Sequence, residues 1–147
     1  MNYGNLESAL EFDKNNKIEE WIQLFLRNDG DNLPLADGLL LEERCYTGII
    51  DFDLNKLHNV KSGAPEYFHD EESISHFFDI VNNMKAELDK WNPPPMIIEF
   101  KSDGTFYVCD GRHRLEAYRQ LGINRTKAVC WATGEENFTR LLEALNK

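Results

Sequence analysis

The chain has 147 residues and is acidic, with 16 Lys and Arg against 26 Asp and Glu and a net charge of −10. That length suits one domain which buries about two-thirds of its unfolded surface. The acidity argues against nonspecific nucleic-acid binding, which depends on neutralising many phosphates. No apolar run approaches a membrane span, and Met1–Gly4 show no basic region followed by an apolar core. We therefore expect a soluble, cytoplasmic protein without membrane partners.

Three cysteines are an odd number, and none of them has CxxC spacing. A disulfide framework or a zinc cluster is therefore not expected. We expect Cys109 and Cys130 to lie in strands as small buried apolar residues. His58, His69 and His76 are spaced too irregularly for a metal site, so no residue is assigned as a metal ligand.

The N-terminal part, residues 1–45, is predicted to be a helical extension. Its first 13 residues show no strong pattern. Apolar residues at helical spacing predict an amphipathic helix over Lys17–Leu26. A proline and a glycine interrupt Leu33–Leu41, which we therefore predict to be a loop with at most a helical turn.

The middle of the chain is predicted to hold one strand, a loop and a long helix. Alternating residues predict the strand over Tyr46–Phe52, and polar residues with Gly and Pro predict the loop over Asn55–Tyr67. An apolar stripe predicts a helix over Ser73–Trp91 that three prolines terminate. The aromatic members of that stripe, Phe77, Phe78 and Trp91, are expected in the core.

The C-terminal part alternates strands and helices. Asp103-Gly104 is the strongest hairpin signal in the chain, and Gly122 is expected to end a helix in the left-handed conformation. The predicted strands and helices are Met96–Phe100, Thr105–Cys109, Arg112–Leu121, Thr126–Ala132 and Glu135–Leu145. This order predicts an α+β fold in a single domain, residues 1–147, with a small mixed sheet in a core over residues 46–132 and a closing helix in residues 133–147.

The most informative stretch is Tyr107–Arg119, which is typical of a strand, a glycine turn and the start of a helix. Helix N-termini present unpaired N–H groups and a partial positive charge. Glycine lets a ligand approach the backbone closely, and arginine suits a planar anion such as phosphate. The stretch therefore predicts a phosphate site, with a nucleotide as the expected ligand.

Local charge agrees with that prediction. Residues 110–127 hold five cations and two anions, a net charge of +3, while the rest of the chain carries −13. A basic island in an acidic protein is a stronger ligand signal than the same residues in a basic one. The alternative is a solvated helix face with pairs such as Arg112–Glu116 at i,i+4 spacing.

Each residue of the turn has a predicted role. Gly111 and the backbone N–H groups of Arg112 and His113 would cradle a phosphate, and Arg114 would pair with it. His113 could also move a proton, since imidazole titrates near neutrality, or it could simply bond to a neighbouring strand. Asp110 could hold Mg²⁺, orient the turn or cap the helix. The candidate catalytic residues are Asp110 and His113.

These residues resemble the ParB/sulfiredoxin-like superfamily, which includes ParB-like nuclease domains and has a small α+β domain with a Gly-x-[His/Arg]-Arg phosphate loop. The resemblance covers residues 46–132 and is strongest over 93–122. It is carried by Pro94–Ile98, Asp103–Val108, Asp110–Ala117 and the opening strand Ile49–Leu54. It implies a nucleotide, ATP or CTP, with or without Mg²⁺.

The chain departs from each chemistry of that superfamily. Gly111, His113 and Arg114 match the sulfiredoxin motif, but Arg112 stands where its catalytic cysteine would be, so the chain is not a sulfiredoxin proper. Gly111 and Arg114 match the CTP loop of ParB-type proteins. Arg112 stands where that loop has an acidic residue. Asp110, Gly111 and Arg114 resemble the loop of free serine kinases.

Several functions stay open. One is a nucleotide-dependent phosphotransferase or hydrolase acting on a small molecule. Another is a non-catalytic module whose nucleotide occupancy controls a protein partner, and a third is ParB-like nucleic-acid processing, which the acidity disfavours. The stretch Trp21–Gly38 is a candidate lid or wall of the site, to which Arg27 or Arg44 would contribute.

Overall fold

The computed structural model describes residues 2–58, 68–88 and 90–147. Within them the helices are α1 (Leu6–Lys14), α2 (Ile18–Arg27), α3 (Leu33–Leu39), α4 (Glu71–Glu87), α5 (Arg112–Leu121) and α6 (Glu135–Leu145). The strands are β1 (Arg44–Tyr46), β2 (Ile50–Asp53), β3 (Met96–Phe100), β4 (Phe106–Asp110) and β5 (Arg125–Thr133). The fold is α+β, as the sequence predicts.

One mixed sheet holds the five strands in the order β1-β5-β3-β4, and β2 also pairs with β5. Strand β3 runs parallel to β5, while β1, β2 and β4 are antiparallel to their neighbours. Because successive side chains of a strand point to opposite faces, Ile97 and Val129 face the N-terminal helices, whereas Ile98 and Cys130 face α5 and α6.

The N-terminal helices cover one whole face of this sheet. Trp21, Ile22 and Leu26 of α2 are fully buried in the same cluster as Ile97 and Val129. On the opposite face Leu115 and Leu141 pack against the strands, and α4 packs on α5 through Phe77 and Val81.

The N-terminal region differs from the sequence analysis in two places. Helix α1 forms where no pattern was recognised, and the side chain of Asn5 caps it by accepting from the Ser8 N–H at 2.8 Å. Helix α3 replaces a predicted loop, because Pro34 lies in its first turn, where a missing N–H costs nothing. Asn32 caps this helix through the Leu35 N–H at 3.2 Å.

The predicted strand Tyr46–Phe52 is two strands separated by Thr47–Ile49. The Thr47 hydroxyl accepts from the Cys130 N–H at 3.0 Å, so a side chain takes the place of a backbone partner. The Asp13 carboxylate accepts from the Ile49 N–H at 3.1 Å and holds the interruption against α1. Most of the predicted loop Asn55–Tyr67 lies outside the described residues, but a single 3₁₀ turn occupies Leu54–Lys56.

The C-terminal predictions were confirmed within one or two residues. The Asp103-Gly104 hairpin forms with Gly104 at φ +88°, and Gly122 ends α5 at φ +73°. Strand β4 extends through Asp110 rather than ending at Cys109.

Helix α4 ends at Glu87 and not at Trp91 as predicted, so Trp91 lies beyond it rather than in its apolar stripe.

Candidate functional site

The turn between β4 and α5 is built around Gly111. Its φ of +117° is a conformation that residues with a side chain rarely adopt. A Cβ there would lie 3.0 Å from Cε of Met96 and 3.7 Å from Nη2 of Arg114. Glycine is therefore favoured by the backbone conformation and by the close approach of the Met96 side chain, whereas the distance to Arg114 is an ordinary contact.

Helix α5 starts at this turn without a side-chain cap. Gly111 is its N-cap, and the first turn contains no acidic residue but Arg112, His113 and Arg114 instead. The first N–H groups of a helix have no acceptor within the helix and carry a partial positive charge. Their arrangement suits an anion that supplies the acceptors.

Arg114 is a buried cation, with 4% of its surface exposed. Its Nη1 donates to the carbonyl of Pro94, and its guanidinium lies 5.9 Å from the ring centroid of Trp91. Its Nε is buried and has no hydrogen-bond partner among the described residues. An unsatisfied buried donor costs about 1–3 kcal/mol, and no acceptor among the described residues offsets that cost.

A cavity of about 410 Å³ opens at this turn. Asp110, Gly111, His113 and Arg114 line one side of it. The other walls are built from distant parts of the chain: Asn2, Gly4, Phe25, Asp29, Met84 and Trp91. The volume falls within the range of small-molecule sites, which is about 300–1,000 Å³.

Asp110 lies at the end of β4 and lines the cavity. It does not cap α5, because that helix has no side-chain cap bond. Its Oδ1 accepts from Nδ2 of Asn32 at 3.4 Å. Desolvation raises the pKa of this carboxyl, and Asn32 and Arg114 oppose that rise.

His113 is half-buried beside the same cavity. Its ring centroid lies 4.7 Å from that of Phe77, with a tilt of 30°. Desolvation and the nearby His76 lower the pKa of His113. The imidazole is therefore predominantly neutral at pH 7 and can accept or donate a proton through its ring nitrogens.

The basic island does not form a continuous patch at the cavity. Of its five cations only Arg114 is among the lining residues, and the side chain of Arg112 is not. Arg119 and Arg125 are exposed, and Lys127 pairs with Asp51 at 2.9 Å. The charge of the cavity is set by Arg114 against the carboxylates of Asp29 and Asp110.

The stretch Trp21–Gly38 does contribute a wall, through Phe25, Asp29 and Gly30. The two arginines expected there do not line the cavity. Arg27 pairs with Asp37 at 2.9 Å on the surface. Arg44 donates to the carbonyl of Gly38 at 3.0 Å and lies 4.9 Å from the Trp131 ring.

Sequence reasoning missed three parts of the lining: the segment Asn2–Gly4, Met84 and Trp91. Nothing in the local pattern marked Asn2–Gly4. The sequence did contain a signal for Trp91. It stands two residues before a run of three prolines, which marks the end of the preceding helix. Trp91 therefore need not belong to the apolar stripe of that helix.

The cysteines lie where they were predicted, Cys109 in β4 and Cys130 in β5. Burial raises the pKa of both thiols to about 12. Both therefore stay protonated at neutral pH and are poor nucleophiles. Cys109 precedes the turn and is not among the residues lining the cavity.

The described residues contain no group of three or more His, Cys, Asp or Glu side chains arranged to hold a metal ion. None of the helices within residues 2–58, 68–88 and 90–147 combines the length and the apolarity needed to cross a membrane.

The similarity of this chain to known proteins lies among solved structures. No protein-family model matches the sequence, and no curated protein matches it. The chain is similar to the structure of a Pnob8-like ParB-N domain, with 22% identity and a TM-score of 0.35. The match covers 69% of this chain and 34% of that one, so it spans about a third of the length of the other protein.

Proposed function

We propose that the cavity beside Gly111 binds a small phosphorylated ligand, and that this ligand is a nucleotide. The observation that carries the proposal is Arg114, a buried cation that lines the cavity at an uncapped helix N-terminus and whose Nε has no partner among the described residues. A phosphate oxygen would satisfy that donor and the first N–H groups of α5 together.

The rest of the cavity suits the remainder of a nucleotide. Trp91, Phe25 and Met84 offer an apolar wall, and aromatic rings stack on nucleobases. Asp29 and Asp110 would repel a bare polyphosphate. They are suitable oxygen ligands for a Mg²⁺ ion that arrives with its phosphates, since Mg²⁺ uses one or two carboxylates, water and phosphate.

A thermal-shift panel of ATP, CTP and GTP, each with and without Mg²⁺, tests this proposal. One nucleotide should raise the melting temperature, because a ligand that binds only the native state stabilises it. The shift should persist in Arg112→Ala, whose side chain is not in the cavity lining, and disappear in Arg114→Met. If no nucleotide shifts the melting curve at millimolar concentration, the proposal fails.

Turnover is a second candidate function, and a specific observation favours it. Asp110 and His113 line one cavity, with pKa values displaced in opposite directions by burial. A carboxyl with a raised pKa and a neutral imidazole are suited to act as acid and base near neutral pH. Loss of nucleotide over time should then require both side chains, whereas Asp110→Asn and His113→Gln should still bind.

Within residues 2–58, 68–88 and 90–147, no structural feature favours the nucleic-acid alternative. The protein carries a net charge of −10, and the cations of residues 110–127 are dispersed over the surface or buried. A gel shift that survives physiological salt would revive that alternative, since nonspecific binding weakens steeply as salt rises.

A further inference from the structure

The segment Asn2–Gly4, named here the strap, forms a wall of the cavity. It lies between the loop after α2 and the residue Trp91. The Tyr3 N–H donates to Oδ2 of Asp29 at 2.6 Å, and the indole N–H of Trp91 donates to the carbonyl of Gly4 at 3.2 Å. The middle and the last residue of the strap are therefore attached to residues that themselves line the cavity.

A third attachment lies away from the cavity. The indole N–H of Trp21 donates to the carbonyl of Tyr3 at 3.2 Å. Trp21 is fully buried in the cluster under the N-terminal helices and is not among the lining residues. Trp21 also stacks on Phe25, a lining residue, with ring centroids 4.9 Å apart. The Ser8 hydroxyl donates to the same Tyr3 carbonyl at 3.2 Å and is not among the lining residues, so the strap can be loosened at Ser8 without altering a cavity side chain.

The fit of the strap is close. A Cβ on Gly4 would lie 3.3 Å from Cβ of Asp29 and 3.2 Å from Oδ1 of Asn2. The Gly4 N–H donates to that same Asn2 oxygen at 2.8 Å, which bends the strap back on itself. Glycine at residue 4 therefore lets the backbone of the strap lie against the side chain of Asp29.

Trp91 connects the strap to the proposed anion position. Its indole N–H holds Gly4, and its ring lies 5.9 Å from the guanidinium of Arg114. A ligand that contacts Arg114 and stacks on Trp91 would hold this indole in place. The same contact would therefore keep the carbonyl of Gly4 hydrogen-bonded to the indole N–H of Trp91.

We propose that the strap closes the cavity over its ligand, and that ligand occupancy and strap docking stabilise each other through Trp91 and Asp29. This inference rests on the proposed function, since it concerns the same cavity. The coupling is reciprocal, so a ligand that raises the equilibrium constant for strap docking by some factor binds the docked state more tightly than the undocked state by that same factor.

Amide hydrogen exchange of residues 2–4 measures strap opening. In the free protein, Asp29→Ala and Ser8→Ala should each speed this exchange, on the order of tenfold for a lost hydrogen bond. Asp37→Ala is the matched control, because it removes a neighbouring surface carboxylate that pairs with Arg27 and does not line the cavity. It should leave the exchange unchanged.

The second measurement repeats the exchange with MgATP, MgCTP and MgGTP and determines the affinity of each variant. The nucleotide that binds should slow strap exchange in the wild type, and Ser8→Ala should bind it more weakly. Unchanged strap exchange on nucleotide binding, or faster exchange in Ser8→Ala with unaltered affinity, would overturn the strap and leave the proposed function standing. If the wild type binds none of the three, both fail.

Discussion

Helices α4 and α5 pack against each other but begin in opposite ways. Helix α4 starts at Asp70, whose side chain accepts from the Ser73 N–H at 2.9 Å, and Glu71 and Glu72 follow in its first turn. Helix α5 starts at a left-handed glycine with no side-chain cap. The chain satisfies the donors of α4 with its own carboxylates and leaves those of α5 beside a cavity.

The carboxyl groups at the starts of α4 and α5, Asp70 and Asp110, have pKa values displaced in opposite directions. The backbone bond from Ser73 lowers the pKa of Asp70, whereas desolvation raises the pKa of Asp110. Asp70 therefore contributes to stability by being ionised, and Asp110 ionises at a cost. A half-buried carboxyl that ionises at a cost beside an uncapped helix is an arrangement typical of functional sites, and it accords with the proposed site.

Replacing Gly111 with alanine should have the largest effect on stability. A side chain there must adopt a φ of +117° and lies 3.0 Å from Met96, so the free energy of unfolding should fall by about 2–3 kcal/mol. Urea denaturation measures this change. Gly38→Ala is the control, since nothing lies within 4 Å of its Cβ, and it should be neutral or stabilising. Equal effects at the two positions would show that the α5 turn is not specially constrained.

Replacing Arg114 with lysine should weaken nucleotide binding by about tenfold or more. Lysine keeps the charge but loses the planar fork and the Nε donor. Titration calorimetry gives the affinity, and Arg112→Lys should leave it nearly unaltered because that side chain is not in the cavity lining. If both variants bind equally well, charge alone matters and the geometry of Arg114 does not.

Replacing Asp110 with asparagine should stabilise the protein by about 1 kcal/mol at pH 7. The folded-state pKa of this carboxyl is raised, so the penalty for ionising it is present above that pKa and absent below the unfolded value of 3.8. The gain should therefore shrink as the pH falls toward 4. Melting temperatures across pH 4–8 measure it, and a destabilised variant at pH 7 would contradict this assignment.

Replacing Asp70 with alanine should have the smallest effect and the opposite dependence on pH. The pKa of this carboxyl is lowered in the folded state, so its contribution is present above the unfolded value of 3.8 and is lost as the pH falls through the folded value. The variant should melt slightly lower than the wild type at pH 7 and match it in acid. A melting temperature that is unchanged at pH 7 would indicate that the cap contributes nothing.

The sequence predicted the C-terminal half of the fold well because strong local signals delimit its elements. Asp103-Gly104 and Gly122 mark a hairpin and a helix end whatever surrounds them. The predictions that failed depend on single side chains. The Thr47 hydroxyl bonds to β5 where the predicted strand would continue, and Pro34 lies in the first turn of a helix instead of breaking one.

The site was predictable in part for the same reason. The turn residues Asp110, Gly111, His113 and Arg114 are adjacent in sequence, and the structure brings all four to one cavity. Net charge over residues 110–127 could not show that Arg112 is excluded, because helical phase and packing decide which cation lines the cavity. Asn2 and Met84 meet there only through tertiary packing, which no local pattern encodes.

Mapping of amide chemical shifts by NMR during a nucleotide titration tests the central claim most directly. The largest changes should occur at the backbone amides of Gly111, Arg112, His113 and Arg114 and at the indole N–H of Trp91. The amides of Asp70–Ser73, at the capped start of α4, should not move. Changes centred on α4, or none at the start of α5 at millimolar nucleotide, would contradict the account.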